Sequence, residues 1–338
     1  MDLQSLPEIM IEAERRAPAE IWGHITGGAG TEMTVRRNRL GLDSLALRPR
    51  VLRDVSSIDM TTRFLGHPLR IPVMLAPIGS LALIHEDASA QAIRAAQAFG
   101  TMGFVSSVAT PGFAAIAAAA PGPKFFQLYI RGDSADVGNS IDAVKAAGYD
   151  GIAVTVDSAY YGVRDRQLLQ KWKPPAHARP GKEHQARVTW DTVAAIMERA
   201  APLPVMLKGI QTGEDAALAV EAGVAAIYIS NHGGRQLDQC QATIDILPEV
   251  VSAVGGRLPI VVDGGFLRGA DIVKAIALGA QAVAVGRLYA SALACAGEAG
   301  VVRALELLEG ELSNVMGLMG VTSLAALGPQ SVTAARPA

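Results

Sequence analysis

From Ile71 onward the chain repeats one pattern eight times: a short apolar run is followed by an alanine-rich segment with helical spacing. Near-continuous apolar runs are typical of parallel strands that are covered on both faces. They predict strands at 71–76, 103–108, 125–130, 151–157, 204–210, 226–232, 259–265 and 282–287. The segments between them predict helices at about 87–99, 112–119, 133–147, 190–200, 213–223, 241–254, 269–279 and 300–316.

Eight β/α pairs over about 250 residues have the size of a (β/α)8 TIM barrel. The alternative is an open doubly wound sheet, which usually carries a GxGxxG phosphate fingerprint after a strand. The glycines at 27–30 lack that spacing and follow a predicted helix. We therefore predict one domain, with an N-terminal helical cap at 1–70, a barrel at 71–320 and a tail at 321–338.

Within the cap, Leu6 to Ala17 and Ala19 to Thr26 predict helices, and 43–70 predicts irregular or hairpin structure. The connection after the fourth barrel strand, 158–189, is unusually long at about 32 residues. We interpret this loop as a lid; the alternative is a disordered polar segment. Its most distinctive residues are Lys171, Trp172, Lys173, Pro174, Pro175, His177, Arg179, Pro180, Gly181, Lys182 and His184.

Composition narrows the class of protein. The formal net charge of −2 argues against nucleic-acid binding. Cys240 and Cys295 form neither a CxxC pair nor a zinc spacing, so we predict no metal site and a cytoplasmic location. The first residues lack a signal-peptide pattern, and no apolar run reaches about 18 residues, so we predict no membrane span.

The stretch Ser230-Asn231-His232-Gly233-Gly234-Arg235-Gln236 lies where the sixth predicted strand ends. Histidine transfers protons near neutral pH, and arginine grips a carboxylate with two hydrogen bonds. Such a pair indicates a site that binds an acid and moves a proton, although a polar loop tip is the alternative.

The carboxyl ends of barrel strands converge on one pocket. Polar or glycine residues follow most of the other strands: Ala76-Pro77-Ile78-Gly79, Ser106, Gln127, Tyr129, Thr155, Asp157, Lys208, Asp263-Gly264-Gly265 and Gly286-Arg287. The last two sets predict a phosphate site, because barrels often bind phosphate after strands 7 and 8. Lys208 is open to three interpretations: a Schiff-base former, a fixed cation beside a cofactor, or a counter-charge to Asp157 or Asp263.

Taken together, these motifs resemble those of the FMN-dependent α-hydroxy-acid oxidoreductases, the glycolate oxidase, lactate oxidase and mandelate dehydrogenase type. The resemblance runs from about Pro18 to Leu324 and is most specific at Ser230–Gln236. It continues, in order, at Phe126–Tyr129, Thr155–Asp157, Leu207–Gly209, Val262–Gly265 and Gly286–Arg287.

The resemblance implies an (S)-2-hydroxy-acid oxidase or dehydrogenase that uses FMN and passes electrons to O2 or another acceptor, as a homotetramer or homo-octamer. His232 would be the base, taking a proton from Cα or from the hydroxyl, and Asp157 would stabilise its imidazolium. Arg235 and Arg164 would hold the substrate carboxylate, and Tyr129 a substrate oxygen. Lys208 would lie by the flavin ring. Further FMN contacts would come from Pro77, Ile78, Gly79, Ser106, Gln127, Thr155, Ser230, Asp263, Gly265, Arg268, Gly286 and Arg287.

Three positions depart from the family pattern. His24 stands where a carboxylate-binding Tyr is usual; the alternative is that it caps its own helix. Val108 replaces an aromatic residue, which predicts room for a larger substrate side chain. Gly79 replaces an Ala found in many oxidases, which favours a dehydrogenase. Rival hypotheses are an FMN barrel without net redox chemistry, such as type 2 isopentenyl diphosphate isomerase, a family member acting on an amine or modified peptide, and a non-catalytic FMN scaffold.

Overall fold

The chain begins with a helical cap. A computed structural model describes residues 3–172 and 182–335. Helices α1 (Leu6–Arg16) and α2 (Ala19–Thr26) confirm the two predicted ones. Helix α3 (Met33–Asp43) was not predicted, because its three arginines interrupt the apolar spacing. Strand β1 (Leu45–Leu47) and the hairpin of β2 (Thr62–Phe64) and β3 (His67–Leu69) complete the cap.

Eight parallel strands close into a barrel, and the last pairs with the first. This closure confirms the predicted (β/α)8 TIM barrel and shows that the open-sheet alternative is wrong. The barrel strands are β4 to β11: Val73–Leu75, Gly103–Ser106, Lys124–Leu128, Ile152–Thr155, Val205–Ile210, Ala226–Ile229, Ile260–Asp263 and Ala282–Val285.

Helices surround the barrel at nearly all the predicted positions. Gly148, Gly223 and Gly279 follow three of them in left-handed conformations, as helix C-termini favour. The helices are α4 (Ala88–Phe99), α5 (Phe113–Ala119), α6 (Ser134–Ala146), α7 (Asp165–Leu169), α8 (Trp190–Ala200), α9 (Gly213–Glu221), α10 (Thr243–Val254), α11 (Gly269–Ala277) and α12 (Arg287–Leu318).

Helix α12 corrects one predicted boundary, because it begins at Arg287 rather than near 300. Its backbone leaves helical geometry at Ala296 and Gly297, which obscured the first half in the sequence. Within the described part of the chain, α12 is also the one helix long and apolar enough to span a membrane. It packs against α4 and α1, and 61% of its apolar window is buried, as in a core helix.

The C-terminal strand β12 (Val332–Ala334) pairs antiparallel with β1. This pairing was not predicted, because it joins segments almost 300 residues apart. Inside the barrel, large side chains fill the axis, among them Phe104, Phe125, Met206 and Tyr228. The barrel is therefore a packed core, and ligand space is left at its mouth.

The described ends of the loop at 158–189 are anchored near the mouth. Gln185, in the 3-10 turn Lys182–Arg187, accepts a hydrogen bond from the Ile130 amide at 2.7 Å and donates to the Thr155 carbonyl at 2.8 Å. Lys171, Trp172, Lys182 and His184 fall in the described part, whereas Lys173, Pro174, Pro175, His177, Arg179, Pro180 and Gly181 lie outside it. The lid interpretation therefore stays a prediction.

Candidate active site

A cavity of about 290 Å³ opens at the carboxyl ends of the barrel strands and is closed on one side by the cap. Most residues predicted for the site line it. They are His24, Pro77, Ile78, Gly79, Val108, Tyr129, Arg164, Lys208, His232, Arg235, Asp263, Gly265, Gly286 and Arg287. The convergence of strand ends thus collects side chains that are far apart in the sequence.

His232 is the centre of a hydrogen-bonded chain. Its Nδ1 lies 3.1 Å from Asp157 Oδ1, and its Nε2 lies 3.1 Å from the Tyr129 hydroxyl. Because a carboxylate only accepts hydrogen bonds, Nδ1 carries the proton in the neutral ring, and Nε2 presents its lone pair. Nε2 is therefore the atom able to take a proton at the cavity.

The electrostatic surroundings keep this histidine ready to accept a proton. Burial lowers the pKa of His232 below its ordinary value and outweighs the attraction of Asp157. Burial alone would raise the pKa of Asp157, but the charges of His232 and Lys208, with hydrogen bonds, bring it below its usual value. The pair is thus a neutral imidazole beside an ionised carboxylate at neutral pH.

The backbone that carries His232 is unusual. His232, Gly233 and Gly234 have φ values of +59°, +61° and +77°, all in the left-handed region. Such a conformation is uncommon for a residue with a side chain and tends to persist at functional sites. It turns the chain directly after β9, so that the His232 ring faces the cavity.

Gly234 is also where the cap docks. Its carbonyl accepts the Ala29 amide at 2.8 Å, and a Cβ at this position would lie 2.7 Å from the Val35 backbone nitrogen. Nearby, Asn38 of α3 and Asn231 exchange two buried hydrogen bonds of 2.9 and 2.8 Å. The turn therefore joins the cap to the barrel beside the cavity.

Replacing Gly234 with Ala is expected to lower the free energy of unfolding by about 2–5 kcal/mol, through left-handed strain and a backbone clash. Gly256→Ala is the matched control, since Gly256 has φ +74° and its added Cβ would meet no described atom within 4 Å. It should cost only about 1–2 kcal/mol. Denaturant unfolding measures the loss in both variants. Equal losses of unfolding free energy would show that the cap shifts away from the added methyl group without destabilising the protein.

Besides Arg39 of the cap, three arginines line the cavity. Arg235 donates from Nη1 to the carbonyls of His24 at 2.7 Å and Gly27 at 2.9 Å. Arg287 donates to the carbonyls of Thr26, Gly27 and Gly233. Both thereby hold the C-terminal end of α2, where helix carbonyls favour cations.

The third arginine, Arg164, has a buried Nε with no hydrogen-bond partner in the described part of the chain. Burial lowers the pKa of Arg164, while burial and repulsion from Arg164 and Arg287 lower that of Arg235. Burial lowers the pKa of Arg287 to about 10. Mutually repelling, buried cations of this kind are stabilised by anionic ligands.

Lys208 donates to the Ser230 hydroxyl at 2.9 Å, and that hydroxyl donates to Asp263 at 2.8 Å. The Lys208 Nζ is also 3.9 Å from Asp263, as one of the three sequence interpretations proposed. Beneath the cavity, Ser106, Gln127 and Thr155 form a buried chain with hydrogen bonds of 2.7 and 2.8 Å. Ser106, Gln127, Thr155 and Ser230 therefore support the cavity floor without lining it.

Arg268 is not brought to the cavity. It pairs with Glu311 of α12, with Nη2 2.8 Å from Oε1, and half of its side chain is exposed. The reason is the close packing of α11 on α12, where the Gly269 amide also donates to Glu311 at 2.9 Å. Of the residues predicted at the phosphate end, Gly265, Gly286 and Arg287 do line the cavity, beside the first turn of α12.

His24 is bonded through its ring to residues outside its own helix. Its side chain is buried, with Nε2 2.9 Å from the Ser80 hydroxyl and Nδ1 on the Gln167 amide. Val108 also faces the cavity, but its Cγ2 would be 2.3 Å from a Cβ on Gly79. Val108 Cγ2 thus occupies the position that a side chain at 79 would need, and the room for a larger substrate side chain stays a prediction.

The strand-end pattern does not predict several of the cavity residues. The cap contributes Ile25, Val35 and Arg39, the loop after β7 contributes Tyr161, and Ser80, Phe266, Leu267, Ala284 and Ala290 lie elsewhere on the lining. Ala76, Gly233, Gln236 and Gly264, which belong to the strand-end motifs, complete it. Ser80 adjoins Gly79 and could have been included. No sequence signal marks the cap residues, since only docking places them here.

Comparisons with known proteins agree with this geometry. A model of the family described as FMN-dependent dehydrogenase matches residues 13–187 and 178–334. Glycolate oxidase 1 of Zea mays is 38% identical, over 96% of this chain and 94% of its own. L-lactate oxidase of Nostoc sp. is 37% identical, over 95% and 96%. Mandelate oxidase superposes with a TM-score of 0.91 at 36% identity, over 98% of both chains. The chain therefore belongs to the FMN-dependent hydroxy-acid oxidase and dehydrogenase family, and its cofactor is FMN.

Proposed function

We propose that the protein oxidises an (S)-2-hydroxy acid to the corresponding 2-oxo acid, with His232 as the base. The observation that carries this proposal is the Asp157–His232–Tyr129 chain, which faces the same cavity as Arg164 and Arg235. The Nε2 lone pair is a proton acceptor, and the arginines are carboxylate ligands. One cavity therefore offers both a proton acceptor and carboxylate ligands, which the oxidation of a 2-hydroxy acid requires.

The residues present fit FMN. Ala76, Pro77 and Ile78 give the cavity an apolar wall for the ring, and Lys208 is a buried cation for its polar edge. Gly265, Arg287 and the start of α12 offer backbone amides and a charge for the phosphate. When bound, FMN accepts the two electrons that leave the substrate.

The roles of the protein residues follow from their positions. Arg164 and Arg235 hold the carboxylate, and the Tyr129 hydroxyl donates to the substrate oxygen. His232 Nε2 takes one of the two protons, either from Cα or from the hydroxyl, and Asp157 stabilises the imidazolium that forms. Oxidation removes two electrons and two protons from the acid and leaves a 2-oxo acid.

The remaining features of the proposal rest on the family. The electron acceptor is O2 or another oxidant, and Gly79 favours a dehydrogenase. The assembly is a homotetramer or homo-octamer without a membrane span, and Cys240 and Cys295, which form no CxxC pair, fit the cytoplasm.

The test is anaerobic mixing of the FMN-loaded protein with a panel of 2-hydroxy acids that includes glycolate, lactate and mandelate. Loss of the oxidised flavin absorbance with one of them supports the proposal. A loaded protein that no member of the panel reduces, or a protein that cannot be reconstituted with FMN, overturns it.

The lowered pKa of His232 predicts the pH dependence. The base must be neutral, and burial disfavours its protonated form, so the neutral form persists below the ordinary pKa of 6.5. The rate constant for flavin reduction should therefore stay level from about pH 8 to about pH 6.5 and fall only at lower pH. Anaerobic stopped-flow measurements across this range check it; a decline centred above about pH 7 would contradict it.

A further inference from the structure

The cavity wall beside Gly79 contains a three-residue hydrogen-bonded chain. The His24 ring, on the last turn of α2, lies between Ser80 Oγ, 2.9 Å from Nε2, and the Gln167 amide of α7 at Nδ1. The Trp172 ring packs against the His24 ring in a T-shaped arrangement, with centroids 5.4 Å apart. His24 and Gln167 are buried, so the ring is held on several sides.

The atoms in contact determine which group donates in each of these two hydrogen bonds. Gln167 presents Nε2, which only donates, so His24 Nδ1 accepts. A neutral imidazole that accepts at Nδ1 carries its proton on Nε2 and donates it to Ser80 Oγ. The Ser80 hydroxyl then keeps its own proton for another acceptor. Protonation of His24 leaves Nε2–H in place, so the direction toward Ser80 does not change.

Ser80 lines the cavity, and the neighbouring residues determine which group can accept a hydrogen bond from its hydroxyl. The Arg235 guanidinium is bonded to the carbonyl of His24 at 2.7 Å, so the carboxylate-binding arginine and the His24–Ser80 pair belong to the same wall. A carboxylate has about four acceptor positions. Because Arg235 already uses Nη1 on the carbonyls of His24 and Gly27, fewer of its N–H groups are available to the carboxylate, and a position is left for a further donor.

We propose that Ser80 is a specificity-determining residue, whose hydroxyl donates to the substrate carboxylate while His24 and Gln167 act as positioning residues. This rests on the proposed function, because the ligand is the 2-hydroxy acid assigned there. His24 thus contributes through Ser80 rather than by direct contact. The wall selects for the acid group and is indifferent to the side chain at Cα.

The experiment measures binding without turnover. Oxidised FMN-loaded enzyme is titrated with 2-oxo acids, such as glyoxylate and phenylglyoxylate, and flavin absorbance reports the Kd. Ser80→Ala should raise the Kd by about 10-fold or more, as loss of a hydrogen bond to a charged group does. Ser80→Thr keeps the hydroxyl and should restore binding to within a few-fold of wild type. In turnover, Ser80→Ala should raise KM while kcat changes little.

A double-mutant cycle distinguishes Ser80, which donates to the carboxylate, from His24, which only positions the donor. His24→Phe keeps the ring but lets the Ser80 hydroxyl rotate, so the Kd should rise about 2- to 10-fold. In the Ser80→Ala background the same change should have no further effect. A further loss there would make His24 itself the donor and overturn the proposal, as would wild-type affinity in Ser80→Ala.

Two further outcomes are decisive. An affinity loss of the same size for both oxo acids supports a carboxylate contact, whereas a loss for one of them alone overturns it. Flavin content and the unfolding midpoint establish that each variant is folded. If the wild-type enzyme is reduced by 2-hydroxy acids while Ser80→Ala binds normally, this inference fails and the proposed function stands.

Discussion

Replacing His232 with Asn is expected to slow anaerobic flavin reduction by about 10²- to 10⁴-fold, the usual contribution of a positioned base. The Asn side chain cannot take the substrate proton. It does tolerate the left-handed backbone that residue 232 adopts at φ +59°. The variant should therefore remain folded and keep FMN, since the residues proposed to hold its phosphate, Gly265 and Arg287, are unchanged.

His232→Ala is the companion variant. It removes the same base but adds strain, because Ala disfavours a positive φ. Both variants should show the same loss of flavin reduction in stopped-flow measurements, while Ala alone should lower the unfolding midpoint. Reduction at close to the wild-type rate in the Asn variant would show that His232 is not the base.

Removing the Arg164 guanidinium, as Arg164→Met, is expected to weaken acid binding by about 10- to 150-fold, the effect of losing a charged hydrogen bond. Its Nε has no hydrogen-bond partner within residues 3–172 and 182–335, so the substitution breaks no hydrogen bond of that atom inside the described protein. Titration of the oxidised flavin with a 2-oxo acid measures the change. The unfolding midpoint should stay close to that of the wild type.

Arg235→Met is the matched comparison. It should weaken acid binding to a similar degree and also loosen the cap, because Arg235 holds the carbonyls of His24 and Gly27. A lower unfolding midpoint is therefore expected in this variant. Unchanged acid affinity in both variants would exclude this pair as the carboxylate clamp.

Much of this architecture is encoded locally. A strand needs a short apolar run, and a helix needs periodic apolar positions with a terminator, so the eightfold repeat could be read directly. Closure of the barrel then places each residue that follows a strand near the others. His232, Asp157, Lys208 and Tyr129 were found in this way, as polar residues at the ends of apolar strands.

Two side-chain placements could not be predicted from the sequence, and they share one physical origin. Arg268 adjoins a predicted phosphate motif, and the packing of α11 on α12 directs it to Glu311. Val108 Cγ2 lies where a Cβ on Gly79 would fall. Each side chain takes its direction from an element distant in the sequence, and local periodicity carries no information about such contacts.

The sequence by itself therefore determined the barrel and the chemical character of its mouth, because strand and helix periods and strand-end residues are local properties. Only the tertiary structure decided how the cap closes that mouth. It bonds His24 to Ser80 across 56 residues, and it brings Arg235 to the end of α2. Docking of one packed element on another sets these contacts, and it depends on the shape of both surfaces at once.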